Sequence, residues 1–177
     1  MTTKPVPDRI LAETKFLRLV DRGGWYFVER PFAHGVVALV AITPDKKLVL
    51  VEQHRPALGG NVIELPAGLA GDEPGHEDEA MESAARRELL EETGYAAQTV
   101  ERLVSAATGP GISSEMILYF RATGLTKVGQ GGGVATENIR VLEVPLAEAG
   151  VWLRDKANAG ATVAIKVWAG LWFAQNA

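Results

Sequence analysis

Three acidic side chains lie close together near the middle of the chain, at the predicted end of a helix. Glu88, Glu91 and Glu92 precede Gly94, which is expected to end that helix. The negative end of the helix dipole disfavours each carboxylate by roughly a few tenths of a kcal/mol, and like charges three and four residues apart repel one another. A hard divalent cation bound among the oxygens would offset both effects. The pattern therefore predicts a Mg²⁺ site, in which Mn²⁺ is expected to substitute.

The helical phase places two of these carboxylates on the face that packs. Met81 is followed at i+3, i+4, i+7 and i+11 by Ala84, Ala85, Glu88 and Glu92, and these positions share one face of an α-helix. A plain amphipathic helix would continue its apolar stripe at positions 88 and 92. A solvated acidic helix end is the alternative explanation, and the position of the acids on the packing face favours the metal site.

The residues around this helix carry a family resemblance. Glu79, followed after seven residues by 87–95 (Arg-Glu-Leu-Leu-Glu-Glu-Thr-Gly-Tyr), resembles the Nudix box. That box reads Gly, five residues, Glu, seven residues, Arg-Glu-U-x-Glu-Glu-x-Gly-U, where U is bulky and apolar. Eight defined positions match, and one departs because position 73 is Glu73 instead of glycine. Residues 66–69 (Pro-Ala-Gly-Leu) resemble the usual entry to the box, so we expect an insertion of about five residues in the loop 70–78.

The composition indicates one compact globular protein. The chain has 177 residues, of which 47% are apolar and 23% are charged, as in ordinary soluble domains. A net charge of −4 gives no basic surface for nucleic acid. The absence of cysteine excludes disulfides, thiolate nucleophiles and zinc–thiolate sites. The sequence shows neither a membrane span nor the apolar region of a signal peptide, so we expect a cytoplasmic protein without membrane or nucleic-acid partners.

The order of predicted elements indicates an α+β fold. Apolar runs at residues 35–43 and 48–53 predict strands that are buried on both faces. The resemblance implies a Nudix-type α/β/α sandwich with a mixed sheet, in which residues 1–33 form an N-terminal strand hairpin and residues 34–177 form the catalytic domain. The other predicted elements are strands at 11–20, 25–30, 63–66, 100–107, 116–123 and 139–145, helices at 146–157 and 163–174, and a flexible glycine-rich loop at 129–133.

The N-terminal hairpin is expected to need a partner surface, because an isolated hairpin is only marginally stable in water. Residues 11–30 resemble the leading hairpin of Nudix enzymes that act on ADP-ribose and nucleotide sugars, which commonly exchanges between the subunits of a dimer. The resemblance implies a homodimer. The sequence leaves open whether the hairpin packs on its own domain or on a second subunit.

The resemblance also implies a reaction and a set of ligands. Nudix enzymes cleave a nucleoside diphosphate linked to another moiety by attack of water on phosphorus, and bound Mg²⁺ neutralises the diphosphate. Glu88 and Glu92 are the expected metal ligands, Glu91 shares the site, and the backbone carbonyl of Ala67 completes it. The resemblance gives Arg87 a structural ion-pair role, whereas spacing alone is equally compatible with a solvated arginine.

Residues outside the box are similar to the substrate-binding parts of ADP-ribose and nucleotide-sugar pyrophosphatases. The loop 108–115, which includes Ser113, resembles theirs, with Pro110 placed 15 residues beyond Tyr95. Residues 51–56 resemble the strand end at which these enzymes place an arginine on the diphosphate, and Arg55 has the bidentate guanidinium suited to that task. The alternatives are an ordinary Gly-Pro-Gly turn and a surface arginine.

Three further residues are candidate substrate contacts. Trp25 is expected to stack on the nucleobase, because aromatic faces bind flat heterocycles, or else to be a half-buried strand residue. Arg30 is expected to contact the terminal sugar phosphate or to face solvent. Glu64 is expected to act behind the metal site or as a polar contact to the substrate.

Glu137 is the candidate general base. In the related pyrophosphatases a glutamate from the corresponding loop moves over the metals, and Glu137 follows the glycine-rich stretch 129–133. An exposed loop glutamate is the alternative. Glu91 and Glu115 are the other candidate bases, Glu115 because it follows the loop that contains Pro110.

The expected function is Mg²⁺-dependent hydrolysis of the diphosphate bond of nucleoside diphosphate sugars. ADP-ribose is the first expected substrate and a GDP-mannose-like compound the next, and the products are a nucleoside monophosphate and a sugar phosphate. One alternative is a dinucleoside polyphosphate or nucleoside triphosphate pyrophosphatase. Another is a non-catalytic domain that senses nucleotide sugars, but such a domain is expected to have lost box carboxylates, and all are present here.

Overall fold

The computed structural model describes residues 6–31, 35–71, 78–134 and 138–176. The α-helices are α1 Met81–Thr93, α2 Ala149–Asn158 and α3 Ile165–Gln175. The strands are β1 Arg9–Glu13, β2 Arg18–Arg22, β3 Trp25–Glu29, β4 Gly35–Ile42, β5 Lys47–Arg55, β6 Gly60–Glu64, β7 Ala67–Ala70, β8 Tyr95–Ala107, β9 Met116–Lys127, β10 Arg140–Pro145 and β11 Thr162–Val163. Within these ranges, every helix is too short or too polar to cross a bilayer.

Strands β4 to β11 form one mixed sheet. Its order is β11-β6-β5-β4-β9-β8, and β10 pairs with β5 while β7 pairs with β4. The β4–β9 and β11–β6 pairs are parallel, and the remaining pairs are antiparallel. The two central strands are the apolar runs expected at 35–43 and 48–53, and both are buried along most of their length.

Helices cover both faces of this sheet. Along β4, the side chains of Val37, Leu39 and Ala41 belong to the core beneath α1. The alternate side chains, Ala38 and Val40, belong to the core beneath α2 and α3. Successive side chains of a strand point to opposite faces, so a strand between two helical layers must be apolar at every position. The predicted α+β sandwich with a mixed sheet is confirmed.

The N-terminal segment is a three-stranded antiparallel sheet, β1-β2-β3. The prediction of a single strand over residues 11–20 is wrong, because a turn at Thr14 divides it. The Thr14 hydroxyl oxygen accepts the backbone N–H groups of Phe16 at 3.2 Å and Leu17 at 3.0 Å. Threonine hydroxyls stabilise such turns locally, and that competition with strand pairing is not visible in the hydrophobic pattern.

The N-terminal sheet contacts its own chain through the loop between β8 and β9. The Val28 N–H donates to the Ile112 carbonyl at 2.9 Å, and the Ser114 N–H donates to the Val28 carbonyl at 3.1 Å. The predicted division at residues 33 and 34 lies in 32–34, outside the described residues, and it stays a prediction. The N-terminal segment leaves many large apolar side chains exposed, both in the sheet and beside it: Val6, Ile10, Leu11, Phe16, Leu17, Leu19, Trp25 and Tyr26.

Several element boundaries differ from those expected. Strands β7 and β11 were not predicted, because four- and two-residue strands carry too little periodicity to recognise. Helix α3 begins at Ile165 and not at 163, since Val163 pairs with Ile63 of β6. Residues 129–133, expected to be a flexible loop, have their backbone hydrogen-bonded to the end of α1.

Candidate active site

A cleft of about 570 Å³ opens where the end of α1 meets the sheet. This volume is typical of sites for small ligands. The cleft brings together side chains of opposite charge from distant parts of the chain. Its acidic members are Glu88, Glu91, Glu92 and Glu115, and its basic members are Arg30, Arg55, Arg87 and Lys166.

Helix α1 supplies three of the acids. It ends at Thr93, and Gly94 takes a left-handed φ of 71°, as predicted for the helix stop. Glu92 is buried, with only 4% of its surface exposed. One of its carboxylate oxygens accepts the Ala67 backbone N–H at 2.9 Å, and the other lies 3.5 Å from the Gln53 side-chain nitrogen. A buried carboxylate is tolerated only with such donors.

The backbone of β7 lies directly against Glu88. A Cβ atom added to Gly68 would overlap the Glu88 carboxylate, so any larger residue at position 68 would displace that side chain. This contact gives a physical reason for glycine in the Pro-Ala-Gly-Leu entry to the helix.

Arg87 connects the acidic residues to one another. Its guanidinium donates to Glu79 at 3.2 and 3.0 Å, to Glu88 at 2.9 Å, to Glu91 at 3.2 Å and to the Leu69 carbonyl at 3.0 Å. Only 16% of the Arg87 side chain is exposed. These contacts identify Arg87 as a structural ion-pair residue and exclude the solvated alternative.

The acids offer the donor set of a hard divalent cation without forming a closed cage. Across the described part of the chain, no three His, Asp or Glu side chains converge closely enough to enclose an ion. The reason is that Arg87 lies between Glu88 and Glu91, and Glu92 turns towards the Ala67 N–H. Carboxylate oxygens on one cleft wall are still the ligands that Mg²⁺ and Mn²⁺ prefer.

Glu64 holds two of the cleft's cations. Arg55 donates to it in a bidentate arrangement at 2.5 and 3.1 Å, and the Lys166 ammonium forms an ion pair with the same carboxylate. Only 5% of the Glu64 side chain is exposed. Burial opposes its ionisation, but the hydrogen bond from Arg55 and the charge of Lys166 outweigh that effect and hold the pKa of Glu64 below its ordinary value of 4.5.

This arrangement changes the interpretation of Glu64. It lies behind the cleft wall and is absent from the residues that line the cavity. A carboxylate already engaged by two cations is a support for those cations rather than a polar contact for a substrate. Arg55, in contrast, lines the cleft as expected.

Arg30 and Glu115 form a second ion pair among the residues that line the cleft. Arg30, which follows β3, donates to Glu115 at 2.7 Å. Ser113 does not line the cavity. Its hydroxyl oxygen accepts the Glu115 N–H at 3.0 Å and so orients Glu115, which does line the cavity. Pro110 is exposed in the turn of that loop and does not line the cavity either.

Trp25 is a further predicted site residue that does not reach the cleft of its own chain. Trp25 is 62% exposed and stands five residues before Arg30, which along a strand is a separation of roughly 17 Å. It does not line its own chain's cavity. Glu137 lies outside the described residues, and its role as a base stays a prediction.

Lys166 and Gln53 are cleft residues that sequence reasoning missed. Lys166 lies in a run, Ile-Lys-Val-Trp-Ala-Gly-Leu-Trp-Phe, in which it is the only charged residue. A single lysine in an apolar helix is the signal that would have singled it out, because a charge in such a position is rarely buried without a partner. Gln53 carries no comparable signal.

Comparisons with known proteins agree with this geometry. A model of the NUDIX domain matches residues 33–165. A methanol dehydrogenase activator of Bacillus methanolicus is 39% identical over 125 residues, which cover 69% of this chain and 64% of that protein. An ADP-ribose pyrophosphatase of Bacillus subtilis (strain 168) is 35% identical over 118 residues, or 65% of this chain and 60% of that protein. A GDP-mannose pyrophosphatase of Cronobacter sakazakii is 36% identical over 124 residues, or 66% and 62%.

The chain thus spans less than two thirds of the length of these curated relatives. A solved structure titled as an ADP compounds hydrolase has a TM-score of 0.65 and covers 85% of this chain and 82% of its own, at 20% sequence identity. At that identity the likeness shows the fold alone.

We expect Glu64→Gln to lower stability in a pH-dependent way. Because the folded pKa of Glu64 is depressed below its ordinary value of 4.5, its contribution is fully present above that value and is lost as the pH falls through the folded pKa. Near neutral pH the loss should be about 2–3 kcal/mol, the usual cost of breaking a buried pair, reduced because Arg55 is partly exposed. Urea unfolding between pH 3 and 7 measures it.

Glu101→Gln, at an exposed position on β8, is the control for this measurement. It should leave stability almost unchanged. A difference between wild type and Glu64→Gln that stays constant down to pH 3 would contradict the ionised Glu64 bridge.

Proposed function

The chain belongs to the Nudix family of hydrolases, and on that basis we propose that it hydrolyses the diphosphate bond of nucleoside diphosphate sugars. ADP-ribose is the first proposed substrate and a GDP-mannose-like compound the second. Water attacks phosphorus, the bridging P–O bond breaks, and a nucleoside monophosphate and a sugar phosphate leave. Relatives named ADP-ribose pyrophosphatase and GDP-mannose pyrophosphatase support this substrate class.

The observation that carries the proposal is a cleft lined by both carboxylates and cationic side chains. Hydrolysis of a diphosphate requires oxygen ligands for a divalent cation and, beside them, fixed positive charges for the phosphate oxygens. Glu88 and Glu92 meet the first requirement, and Arg55 and Lys166 meet the second, within one cavity of about 570 Å³.

Glu88, Glu92 and Glu91 are the side chains proposed to hold Mg²⁺ or Mn²⁺, with the backbone carbonyl of Ala67. When bound, the cation supplies positive charge that offsets the diphosphate and lowers the pKa of water. Other groups in the structure hold these carboxylate side chains in place. Glu92 is oriented by the Ala67 N–H, and Arg87 ties Glu88 and Glu91 together.

Arg55 and Lys166 are proposed to bind the diphosphate. Glu64 holds both side chains beside the cleft, so little rotamer freedom remains to be lost when the substrate binds. Arg30 is proposed to contact the distal sugar phosphate, and its pairing with Glu115 keeps it at the cleft mouth until then.

The decisive experiment is a comparison of kcat/KM across ADP-ribose, GDP-mannose, a dinucleoside tetraphosphate and dGTP, each with Mg²⁺ and with Mn²⁺. Nucleotide sugars should be cut best. A tenfold preference corresponds to only about 1.4 kcal/mol, so a larger margin is required. A ranking headed by dGTP or the tetraphosphate would reject the nucleotide-sugar assignment in favour of the alternative pyrophosphatases.

Glu92→Gln is the matched variant for this panel, because it keeps the shape of the side chain and removes its charge. Activity on every substrate should fall by at least about a hundredfold, the effect of losing a preorganised electrostatic contact. Normal turnover by Glu92→Gln would reject the metal ligands as well as the hydrolase mechanism built on them. Absence of activity in both proteins would favour the sensor alternative.

Glu137 is proposed as the general base on the strength of its sequence position. Glu137→Gln should lower kcat by roughly 10²–10⁴-fold, the usual contribution of a positioned base, while the dissociation constant for Mn²⁺ changes little. Glu115→Gln and Glu91→Gln are the comparison variants. Near-full turnover by Glu137→Gln would transfer the role to Glu115 first, since that carboxylate lines the cleft, and then to Glu91.

A homodimer is proposed from the N-terminal sheet. Its exposed apolar side chains form the kind of surface that monomeric proteins rarely leave uncovered. With a second subunit packed on this surface, Trp25 is proposed to enter the cleft of the partner subunit and to stack there on the nucleobase.

We expect Trp25→Ala to raise KM for ADP-ribose by about tenfold or more, the value of one aromatic stacking contact, with little change in kcat. Trp172→Ala is the control, because this tryptophan is similarly exposed but lies on α3, away from the N-terminal sheet and outside the cleft lining. Sedimentation equilibrium gives the oligomeric state. A monomer at micromolar concentration, or an unchanged KM, would contradict the proposal.

A further inference from the structure

Residues 127–133, which are distant from α1 in the sequence, are hydrogen-bonded to its C-terminal end. The Gly133 N–H donates to the Glu91 carbonyl at 3.0 Å, and the Gly132 N–H donates to the Glu92 carbonyl at 2.9 Å. The last carbonyls of a helix have no partner within the helix. Here two of them belong to residues whose side chains are proposed metal ligands.

The same segment satisfies the next two carbonyls. The Lys127 ammonium donates to the Thr93 carbonyl at 2.7 Å. The Val128 and Gly129 N–H groups donate to the Gly94 carbonyl at 2.9 and 3.1 Å. Each carbonyl from position 91 to position 94 therefore receives a donor from residues 127–133, which we call the glycine brace.

The two backbones meet at a distance that side chains would not permit. A Cβ atom on Gly131 would overlap the Thr93 backbone and lie 2.7 Å from the Glu92 carbonyl oxygen. A Cβ atom on Gly94 would overlap the Gly129 carbonyl. Gly131 also has a φ of 71°, which L side chains rarely adopt. Glycine at position 131 is a requirement of the contact.

The glycine brace also offsets an electrostatic repulsion at this helix end. The negative pole of the helix and the carboxylates of Glu88, Glu91 and Glu92 repel one another. N–H dipoles and the Lys127 charge lie against that pole and offset it. Without them, the last turn would gain free energy by fraying, as helix ends with unsatisfied groups do.

The brace continues directly into the cleft wall. Val134, the next residue, lines the cavity. The Gly132 carbonyl accepts the Ile139 N–H at 3.2 Å, so the residue just before β10 is also hydrogen-bonded to the brace. The helix end and this part of the cleft wall are thereby fixed to each other.

We propose that Gly131 and Lys127 are positioning residues: through the glycine brace they hold the last turn of α1 in the geometry that its carboxylates need to bind the divalent cation. The assignment of those carboxylates as metal ligands rests on the proposed function. The attachment of the brace to the helix is independent of it.

The test compares three glycine variants of the full-length protein. Gly131→Ala forces the two backbones apart. Gly129→Ala changes the same segment, but its Cβ would have no neighbour closer than 3.9 Å. Gly160→Ala introduces a side chain at a φ of 92° with no neighbour within 4 Å, so it reproduces the left-handed strain without the loss of docking. Mn²⁺ binding to substrate-free protein and amide hydrogen exchange of metal-free protein are measured for each.

In Gly131→Ala, the amides of residues 128–133 and of the last turn of α1 should exchange at least about tenfold faster. The dissociation constant for Mn²⁺ should rise about tenfold, as when a group that supports a metal ligand is lost. Gly129→Ala and Gly160→Ala should match wild type in both measurements. Unchanged exchange in Gly131→Ala would overturn the brace, and faster exchange with unchanged Mn²⁺ affinity would overturn its positioning role.

Lys127→Met provides the second variant if Gly131→Ala does not fold. It removes the ammonium from the Thr93 carbonyl and keeps the length of the side chain. The last turn of α1 should exchange about threefold faster or more, the scale of a partly exposed charge at a helix end, and Mn²⁺ binding should weaken although a nearby positive charge is lost. Unchanged exchange or tighter Mn²⁺ binding would overturn the role of Lys127. Wild-type protein that binds no Mn²⁺ would refute the proposed metal site, while hydrogen exchange would still decide whether the brace holds the helix.

Discussion

The accumulation of negative charge at the end of α1 is the constraint on which the rest of the site depends. Three carboxylates lie there beside the negative pole of a helix, and Glu92 is almost completely buried. Such an arrangement is stable only if donors and cations surround it. They include the Ala67 N–H of β7, the guanidinium of Arg87, and the glycine brace with its Lys127 ammonium.

The positive side chains of the cleft are held in place in a comparable way, by carboxylates. Arg55 and Lys166 would repel each other if they stood side by side, and the buried carboxylate of Glu64 keeps them together. Arg30 is held by Glu115 across 85 positions of sequence. Each cation of the cleft is therefore presented in a defined position, and none depends on the substrate to order it. The proposed diphosphate chemistry needs this preorganisation because its barrier is lowered mainly by fixed charges.

Local patterns in the sequence predicted the parts of the structure that depend on neighbouring residues. The end of α1 and the buried strands β4 and β5 were expected from such patterns. The three-layer arrangement and the meeting of Arg55 with the three acids in one cleft were expected from the resemblance to the Nudix box. The division of residues 11–20 by Thr14 and the short strands β7 and β11 were not, because a hydroxyl-stabilised turn and a two-residue strand hardly alter the hydrophobic pattern.

The sequence by itself determined that Glu88, Glu91 and Glu92 meet at one helix end, since their spacing needs only helical geometry to bring them together. Tertiary structure alone decided which groups support them. The pairing of Glu64 with Lys166 and the docking of Gly131 on Thr93 join residues that are far apart in the chain. Contacts of that kind depend on how the sheet orders its strands and on how closely two backbones approach, and neither leaves a periodic signal in the amino-acid sequence.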